Sequence, residues 1–415
     1  MSVLVQKYGG KCVASPALIK QVAKKVIEAR RDGHSVLVVM SAMGRKTDEL
    51  IALAHEVSNR PSPRELDMLI TVGERISISL LSMAISDLGF DSISFTGSQS
   101  GIITTSHHNS ARIVDVRPER IIKSLNEGKI VIVAGFQGVS VQKEITTLGR
   151  GGSDLTAVVL AHALHAESCQ LRKNVPGVMT ADPSVIHGAR LLDTMSPDKL
   201  LELACAGASV IHRRAARFVR RKGVSVLICS GTTDGCGTKV GSEQRMNESG
   251  DVSHSDGGLE APNLDAVASV SPVCSVKVSV DENAKDLVPS LFEALSDRGV
   301  MLDMISQVAS GAVERVSFVV ADGDLPEVKQ SLARLEATRR PECDVIGGLA
   351  KIGVVGDGFL SDPATLGSIR RALAKVGIAP LEMAVSALRV TFLVAASEEK
   401  PAVQAIHNLI QMTAS

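Results

Sequence analysis

The chain has 415 residues, which at ~150 residues per domain predicts roughly two to four domains. Basic and acidic residues both number 45, and no basic block stands out, which argues against a nucleic-acid-binding protein. Aromatic residues make up only 2% of the chain, so stacking platforms for single-stranded nucleic acid are excluded as well. The seven cysteines show no Cys-x-x-Cys spacing, which indicates buried thiols in a reducing cytosol and no metal-ligating set.

The first 240 residues alternate apolar runs with amphipathic patterns. The segments Val3–Val5, Ser35–Met40, Ile130–Ala134 and Val224–Ile228 have strand patterns, and Ser15–Arg31 has a helical one. Strands that alternate with helices predict a three-layer α/β domain over 1–240, with a mainly parallel sheet covered on both faces.

A polar stretch rich in Gly, Ser and Asp follows at 241–263 and is predicted to be a linker. After it the pattern β-α-β-β-α-β occurs twice, over 264–343 and 344–415, with helices at Leu287–Arg298 and Pro363–Val376. This pattern predicts two ferredoxin-like modules. Such short modules bury their sheets by pairing, so we expect them to pack together or across a homodimer.

The chain also lacks the usual signals for membrane or export. No apolar run reaches ~18 residues without charges, so we expect no transmembrane helix and no membrane partner. The N-terminal sequence MSVLVQKYGG has no basic segment followed by an apolar one, and the expected location is the cytoplasm.

Four glycine-rich segments stand at or near the ends of predicted strands. They are Lys7–Gly10, Ser41–Gly44, Gly135–Gly138 and Gly149–Asp154. Glycines there let backbone amides approach a ligand, and a helix N-terminus favours phosphate. None has Gly-x-Gly-x-x-Gly or Walker A spacing, so neither a Rossmann dinucleotide site nor a P-loop is indicated. One glycine pair is usually a turn, but four at strand ends favour a common crevice.

Four charged residues near these loops suit phosphate and amino-acid chemistry. Lys7 could stabilise negative charge on the oxygens of a transferring phosphoryl group, and the guanidinium of Arg150 could bind a carboxylate through two hydrogen bonds. Asp154 could orient the groups around it, and Glu74 could pair with a substrate ammonium. Each of these residues taken alone is more often a surface charge.

Together, the segments resemble the aspartate kinases of the amino-acid kinase superfamily in order and spacing. The matching segments are KYGGKCV (7–13), SAMGRKTDEL (41–50), GERIS (73–77), SFTGSQSGI (94–102), VAGFQGV (133–139), TTLGRGGSDLTAV (146–158), VPGVMTADPSVI (175–186) and LLELACAGASVIHRRA (200–215). The two C-terminal modules resemble the family's regulatory ACT domains. The resemblance implies ATP-dependent phosphorylation of the aspartate β-carboxylate to 4-phospho-L-aspartate, the entry step to lysine, threonine and methionine.

The resemblance also implies roles for individual residues. It places Lys7, Gly9, Gly10 and Asp154 at the transferring phosphoryl group, with Mg²⁺ bridging the nucleotide phosphates. The residues around L-aspartate would be Ser41, Thr47, Glu74, Phe136, Arg150 and Ser153, with Glu74 on the ammonium and Arg150 on the α-carboxylate. The residues beside ATP would be Lys11, Lys173, Asn174, Val178 and Arg213.

The departures from the family pattern lie mainly on the nucleotide side. Lys-Phe-Gly-Gly-Thr-Ser is usual where this chain has Lys-Tyr-Gly-Gly-Lys-Cys at 7–12. Tyr-Thr-Asp-Val-Asp-Gly-Val-Tyr is usual where it has Arg-Lys-Asn-Val-Pro-Gly-Val-Met at 172–179. These changes remove acidic groups and add basic ones. The resulting predicted basic cluster is Lys11, Lys46, Arg172, Lys173 and Arg213.

Three interpretations of these departures remain open at this stage. The protein could be an aspartate kinase that binds the phosphates of ATP through different residues, or a relative that uses another phosphoryl donor or acceptor. It could also be a weakly active ACT-containing sensor or regulatory subunit. The retention of Lys7, Arg150 and Asp154 favours an enzyme. The loops at 281–286 and 356–363 lack the usual Pro-Gly, so an amino-acid effector at the ACT modules and simple dimerisation are both open.

Overall fold

A computed structural model describes residues 2–233, 235–241, 263–281, 286–310, 313–339 and 342–413. The predicted linker at 241–263 therefore lies, apart from its end residues, outside the described residues, as does most of the loop at 281–286. The chain divides into two compact units. The first comprises Met1–Met179, Leu191–Ala204 and Ser209–Val252, and the second comprises Thr180–Arg190, Cys205–Ala208 and Ser253–Ser415.

The first unit contains two sheets and the helices that cover them. Its strands are β1 (Val3–Tyr8), β2 (Ser35–Met40), β3 (Ser92–Phe95), β4 (Ile102–Thr104), β5 (Ile113–Val116), β6 (Ile130–Ala134), β7 (Gln137–Ser140), β8 (Ile145–Thr147), β9 (Ser168–Lys173), β10 (Thr194–Met195), β11 (Val226–Ser230) and β12 (Thr238–Val240). Its helices are α1 (Pro16–Arg31), α2 (Lys46–Val57), α3 (Pro63–Ile70), α4 (Val72–Ser86), α5 (Glu119–Asn126), α6 (Gly152–Ala163), α7 (Pro197–Ala206, whose last two residues cluster with the second unit) and α8 (Arg213–Lys222).

The larger sheet has eight strands in the order β10-β12-β11-β9-β1-β2-β6-β3. All its pairings are parallel except that of β11 with β12, so the predicted mainly parallel sheet is confirmed. Helices α1 and α4 pack on one face, where their apolar side chains join those of alternate residues in β1, β2 and β6. Helix α6 contacts β1, β2 and β9 from the other face, which completes the three layers.

Helices α3 and α4 together form one segment, Pro63–Ser86, that is long and apolar enough to cross a membrane by length and composition. In the first unit, however, Ile78, Leu81 and Ile85 of this segment are buried in the core beside the sheet. Buried core helices of globular domains pass the same test of length and composition, so the packing favours a core role for this segment.

The second unit contains one six-stranded antiparallel sheet. Its strands are β13 (Leu264–Asp281), β14 (Asp303–Ser310), β15 (Val313–Ala321), β16 (Glu342–Gly356), β17 (Glu382–Val385) and β18 (Arg389–Ala395). Its helices are α9 (Leu287–Asp297), α10 (Leu325–Arg339), α11 (Pro363–Lys375) and α12 (Glu399–Thr413). The strand order is β14-β15-β13-β16-β18-β17. Among the described residues, two large apolar cores and one small cluster of Val273, Val319, Leu349 and Leu393 lie against this sheet.

Strands β13 and β16 pair along most of their lengths and are shared by both ferredoxin-like modules. Residues 273–281 of β13 pair with β15, whereas residues 349–355 of β16 pair with β18. The fourth strand of the first module is therefore the first part of β16, and the second part of β16 begins the second module. The fourth strand of the second module is in turn the first part of β13, and the second part of β13 begins the first module. The predicted boundary at 343/344 falls inside β16, because the pattern of residues along a strand does not show which neighbours it will pair with.

Candidate active site

The carboxyl ends of the parallel strands lie at one edge of the large sheet, and the glycine-rich loops begin there. Backbone hydrogen bonds join these loops. They are Gly9 N to Arg172 O at 3.2 Å, Ser41 N to Tyr8 O at 3.2 Å and Gly135 N to Met40 O at 2.9 Å. The loops that follow β1, β2, β6 and β9 are therefore neighbours, as a common crevice requires.

Asp154 lies at the centre of this edge, in the first turn of α6, and is only 3% exposed. Its Oδ1 is 2.7 Å from Nζ of Lys7. Nζ of Lys173 lies 2.7 Å from Oδ2 and 2.9 Å from Oδ1. The backbone N–H of His212 donates to Oδ2 at 3.2 Å. Two predicted catalytic residues and one predicted nucleotide-side residue thus meet in one cluster.

The pKa values in this cluster follow from burial and mutual attraction. Burial by itself would raise the pKa of Asp154, but Lys173 and Lys7 hold it well below its usual range. Burial lowers the pKa of Lys173 to about 8, against the attraction of Asp154. Burial also raises the pKa of the neighbouring Cys12 thiol, which keeps that group neutral. At neutral pH one carboxylate therefore faces two ammonium groups.

Glu74 of α4 is a second buried carboxyl, with 2% exposure. Its Oε1 accepts a hydrogen bond from the backbone N–H of Ala42 at 3.1 Å, and its Oε2 is buried without a partner. Burial raises its pKa to about 8. A buried carboxyl oxygen without a donor costs free energy, and an incoming cation such as an ammonium group would remove that cost.

The loop before α6 is held in place by close packing. Phe136 has φ of +69°, in the left-handed region, and its carbonyl accepts from the Leu148 N–H at 2.8 Å. A Cβ on Gly135 would lie 2.7 Å from Cβ of Ser153. Strained backbone at such a position is typical of binding sites. The predicted aspartate-side residues Phe136 and Ser153 are buried, while Ser41 and Thr47 are half-buried.

Arg150 occupies a different environment from the other predicted residues. Its side chain is 86% exposed, and Nη2 lies 2.9 Å from Oδ1 of Asp48 at the start of α2. Asp48 was not singled out from the sequence, although it stands in the SAMGRKTDEL segment. Arg214 was also missed. It donates to the carbonyl oxygens of Leu148, at 2.6 Å, and Ala111, at 2.9 Å, and so anchors the loop before Arg150.

The five residues of the predicted basic cluster differ in their contacts and exposure. Lys46 donates to Glu49 at 2.6 Å, and Arg172 donates to Gln170 at 2.7 Å and lies over the Tyr8 ring. Lys11 is exposed and Arg213 is half-exposed. Of the five residues, Lys173 makes the contact with Asp154.

The remaining two predicted nucleotide-side residues differ in exposure. Asn174 is exposed directly after β9. Val178 is buried, and its backbone N–H donates to Thr238 at 2.8 Å, so its side chain belongs to the interior.

The chain is similar to known proteins in sequence and in fold. The amino acid kinase family model matches residues 2–230. An aspartokinase of Geobacillus stearothermophilus is 40% identical over 99% of this chain and 96% of its own length. The crystal structure of E. coli aspartokinase III in complex with aspartate and ADP (R-state) has a TM-score of 0.81 at 23% identity, covering 98% of this chain and 99% of that chain. The complex of that protein with lysine and aspartate (T-state) has a TM-score of 0.69 at 22% identity, over 98% of this chain and 99% of that chain.

Proposed function

The chain belongs to the aspartokinases of the amino acid kinase family, and on this basis we propose how its residues phosphorylate aspartate. It is an aspartate kinase, which transfers the γ-phosphoryl group of ATP to the β-carboxylate of L-aspartate and forms 4-phospho-L-aspartate and ADP. Its full-length similarity to aspartokinases supports this activity over the alternatives of a sensor or a changed donor or acceptor.

The observation that carries the assignment of the reacting centre is the buried contact of Asp154 with Lys7. An oxygen of the aspartate β-carboxylate attacks the γ-phosphorus while the bond to the bridging oxygen of ADP breaks. Negative charge on the phosphoryl oxygens is stabilised by Lys7 and by the amide of Gly10, whereas the Gly9 N–H already donates to the carbonyl oxygen of Arg172. Asp154 is not a base here, because its pKa lies far below neutral. It holds the lysine in place.

The acceptor amino acid lies against the loops after β2 and β6 in this proposal. The unpartnered Oε2 of Glu74 binds its ammonium, and Arg150 turns from Asp48 to bind its α-carboxylate. The side chains around the rest of the substrate are those of Ser41, Thr47, Phe136 and Ser153. Fixing both ends of the amino acid directs the β-carboxylate at the phosphoryl group.

The nucleotide lies on the side of Lys11, Asn174 and Arg213, near the ends of β1 and β9. Its phosphates carry Mg²⁺ as counter-ion. The described residues contain no group of three or more His, Cys, Asp or Glu side chains placed to bind a metal, and both oxygens of Asp154 are taken by donors. A Mg²⁺ bound mainly by phosphates and water suits this arrangement, whereas a protein-bound metal does not.

The C-terminal sheet supports two further parts of the proposal. Edge strand β14 exposes Ile305 and Val308 together with its unpaired backbone groups, which suits pairing with a second copy in a homodimer. A cavity of about 350 Å³ beside it is lined by Lys277 and Glu382, which pair with each other at 3.2 Å, and in this proposal an amino-acid effector binds these two charges. We place the enzyme in the cytoplasm.

The test is to incubate the protein with aspartate, MgATP and hydroxylamine, which traps acyl phosphates as hydroxamates. Wild type should form aspartyl hydroxamate, and Lys7→Ala and Asp154→Ala should each lose activity by several hundred-fold, because one transition-state contact contributes ~3–4 kcal/mol. Lys129→Ala, at a half-exposed lysine outside this site, is the matched control. Wild-type turnover in either site variant would refute the assignment of this centre.

A further inference from the structure

Lys173 is the last residue of β9, and its ammonium reaches both oxygens of Asp154. Asp154 then accepts four hydrogen bonds, one from Lys7, two from Lys173 and one from the N–H of His212. A carboxylate offers about four lone-pair sites. The carboxylate is therefore fully used in holding two ammonium groups and one amide.

The cluster carries excess positive charge in a buried place. The side chains of Lys7 and Lys173 are only 7% and 12% exposed. The other ionisable groups that face Lys173 from the packed elements are Asp154, Lys7, Cys12 and His212. Burial raises the pKa of the Cys12 thiol and lowers the pKa of His212, so both groups stay neutral. One carboxylate thus offsets one of two cations. A buried surplus cation is costly unless an anion binds beside it.

We propose that Lys173 is a second phosphate-binding cation, held by Asp154 beside Lys7 so that both ammonium groups contact the transferring phosphoryl group. This inference rests on the proposed function of the Asp154 centre. Each ammonium has three N–H donors, and Asp154 takes one from Lys7 and at most two from Lys173, so donors remain for phosphate oxygens.

The titration of Lys173 predicts a pH dependence of kcat/KM for ATP that tests this role. The pKa of Lys173 is about 8 in the free protein, so its positive charge is present below that pH and is lost as the pH rises through it. We therefore expect kcat/KM for ATP, which reports on free enzyme, to fall above about pH 8. Bound phosphate favours the charged form, so kcat at saturating ATP should fall only at higher pH.

The test compares Lys173→Met and Lys173→Arg with wild type in the hydroxamate assay, from about pH 6.5 to about pH 9.5 and at several Mg²⁺ concentrations. Lys173→Met should lower kcat/KM for ATP by about 10²-fold and leave KM for aspartate unchanged. It should also remove the fall of kcat/KM above about pH 8 and raise the Mg²⁺ concentration needed for half-maximal activity. Lys173→Arg stays charged at every pH used. It should retain more activity than Lys173→Met, and its kcat/KM for ATP should not fall at alkaline pH.

Folding is checked by thermal melting of each variant, and Lys129→Met serves as the matched control at a half-exposed lysine outside this site. Removal of Lys173 leaves Asp154 paired with Lys7, so the variants should fold. A folded Lys173→Met enzyme with wild-type kcat/KM and pH profile would overturn the inference. Absence of hydroxamate formation by wild type would instead refute the proposed function, so the two failures are distinguishable.

Discussion

Two buried carboxyls in the first unit have opposite preferences for the proton, and the difference lies in their neighbours. Asp154 faces two ammonium groups, which outweigh the effect of burial and keep it charged. Glu74 has backbone N–H donors, such as that of Ala42, but no cation beside it among the described residues, and burial raises its pKa to about 8. The first carboxylate is thus paired within the protein, whereas the second is suited to gain its cation from a substrate.

Glu74→Gln should therefore weaken the binding of aspartate and raise the stability of the folded protein at high pH. Because the folded-state pKa of Glu74 is raised from 4.5 to about 8, the folded protein binds a proton that the unfolded chain releases, and stability falls as pH rises through this window. The variant should lose this dependence and gain stability at pH above about 8, on the order of 1–3 kcal/mol. KM for aspartate should rise by about 10²-fold.

Urea unfolding and KM for aspartate, both measured at low and high pH, check this prediction. Glu127→Gln, at an exposed carboxyl, is the control and should change neither quantity. If Glu74→Gln binds aspartate as wild type does, the ammonium of the substrate lies elsewhere.

Arg150→Lys should weaken the use of aspartate far more than the binding of nucleotide. Lysine keeps the charge but cannot form the two parallel hydrogen bonds by which arginine binds a carboxylate. KM for aspartate should rise by about tenfold or more, with nucleotide affinity by calorimetry unchanged. Arg117→Lys, another exposed arginine paired with an aspartate, is the control. Loss of nucleotide affinity with an unchanged KM for aspartate would mean that the two halves of the site are reversed.

At the scale of elements, the start of α6 depends on a glycine that packs against the segment before α8. Gly151 has φ of +76°, and a Cβ there would lie 2.6 Å from ring atoms of His212. The same residue, His212, donates its backbone N–H to Asp154. The entry to α6 and the entry to α8 are thus fitted to each other around the Asp154 carboxylate.

Gly151→Ala should accordingly impair activity, whereas Gly223→Ala should not. Both glycines have positive φ at a helix end, but a Cβ on Gly223 would meet no atom within 4 Å. Gly223→Ala should lose about 1 kcal/mol of stability from backbone strain alone. Gly151→Ala should lose more stability, and kcat should drop by about tenfold or more as His212 moves. Equal stability and equal kcat in the two variants would contradict this packing argument, and unfolding curves with hydroxamate rates decide it.

For the whole molecule, the second unit has an apolar edge that would be covered in the proposed homodimer. Val308 on edge strand β14 is 58% exposed. Val308→Lys should shift the protein toward monomer in sedimentation experiments, because a charge on an edge strand opposes pairing with another strand. Leu360→Lys, at an apolar side chain with 65% exposure, is the control and should sediment as wild type does. A Val308→Lys protein of wild-type size would place any dimer contact on another surface.

The amino-acid sequence by itself determined what depends on local pattern. Apolar runs and amphipathic spacing predicted the mainly parallel sheet, and the glycine loops with TTLGRGGSD identified the family, both of which are confirmed. Local pattern also identified Lys7, Asp154 and Glu74 as candidate site residues, whose roles stay predictions.

Only the tertiary structure decided which groups meet. Lys173 belonged to a predicted basic cluster, but its contact with Asp154 depends on β9 and α6 lying side by side. Asp48 meets Arg150 across 102 positions of chain, and β13 pairs with β16 across both modules. Ion pairs and strand ladders form between residues distant in sequence, and their free energy depends on burial and distance, which periodicity along one segment does not contain.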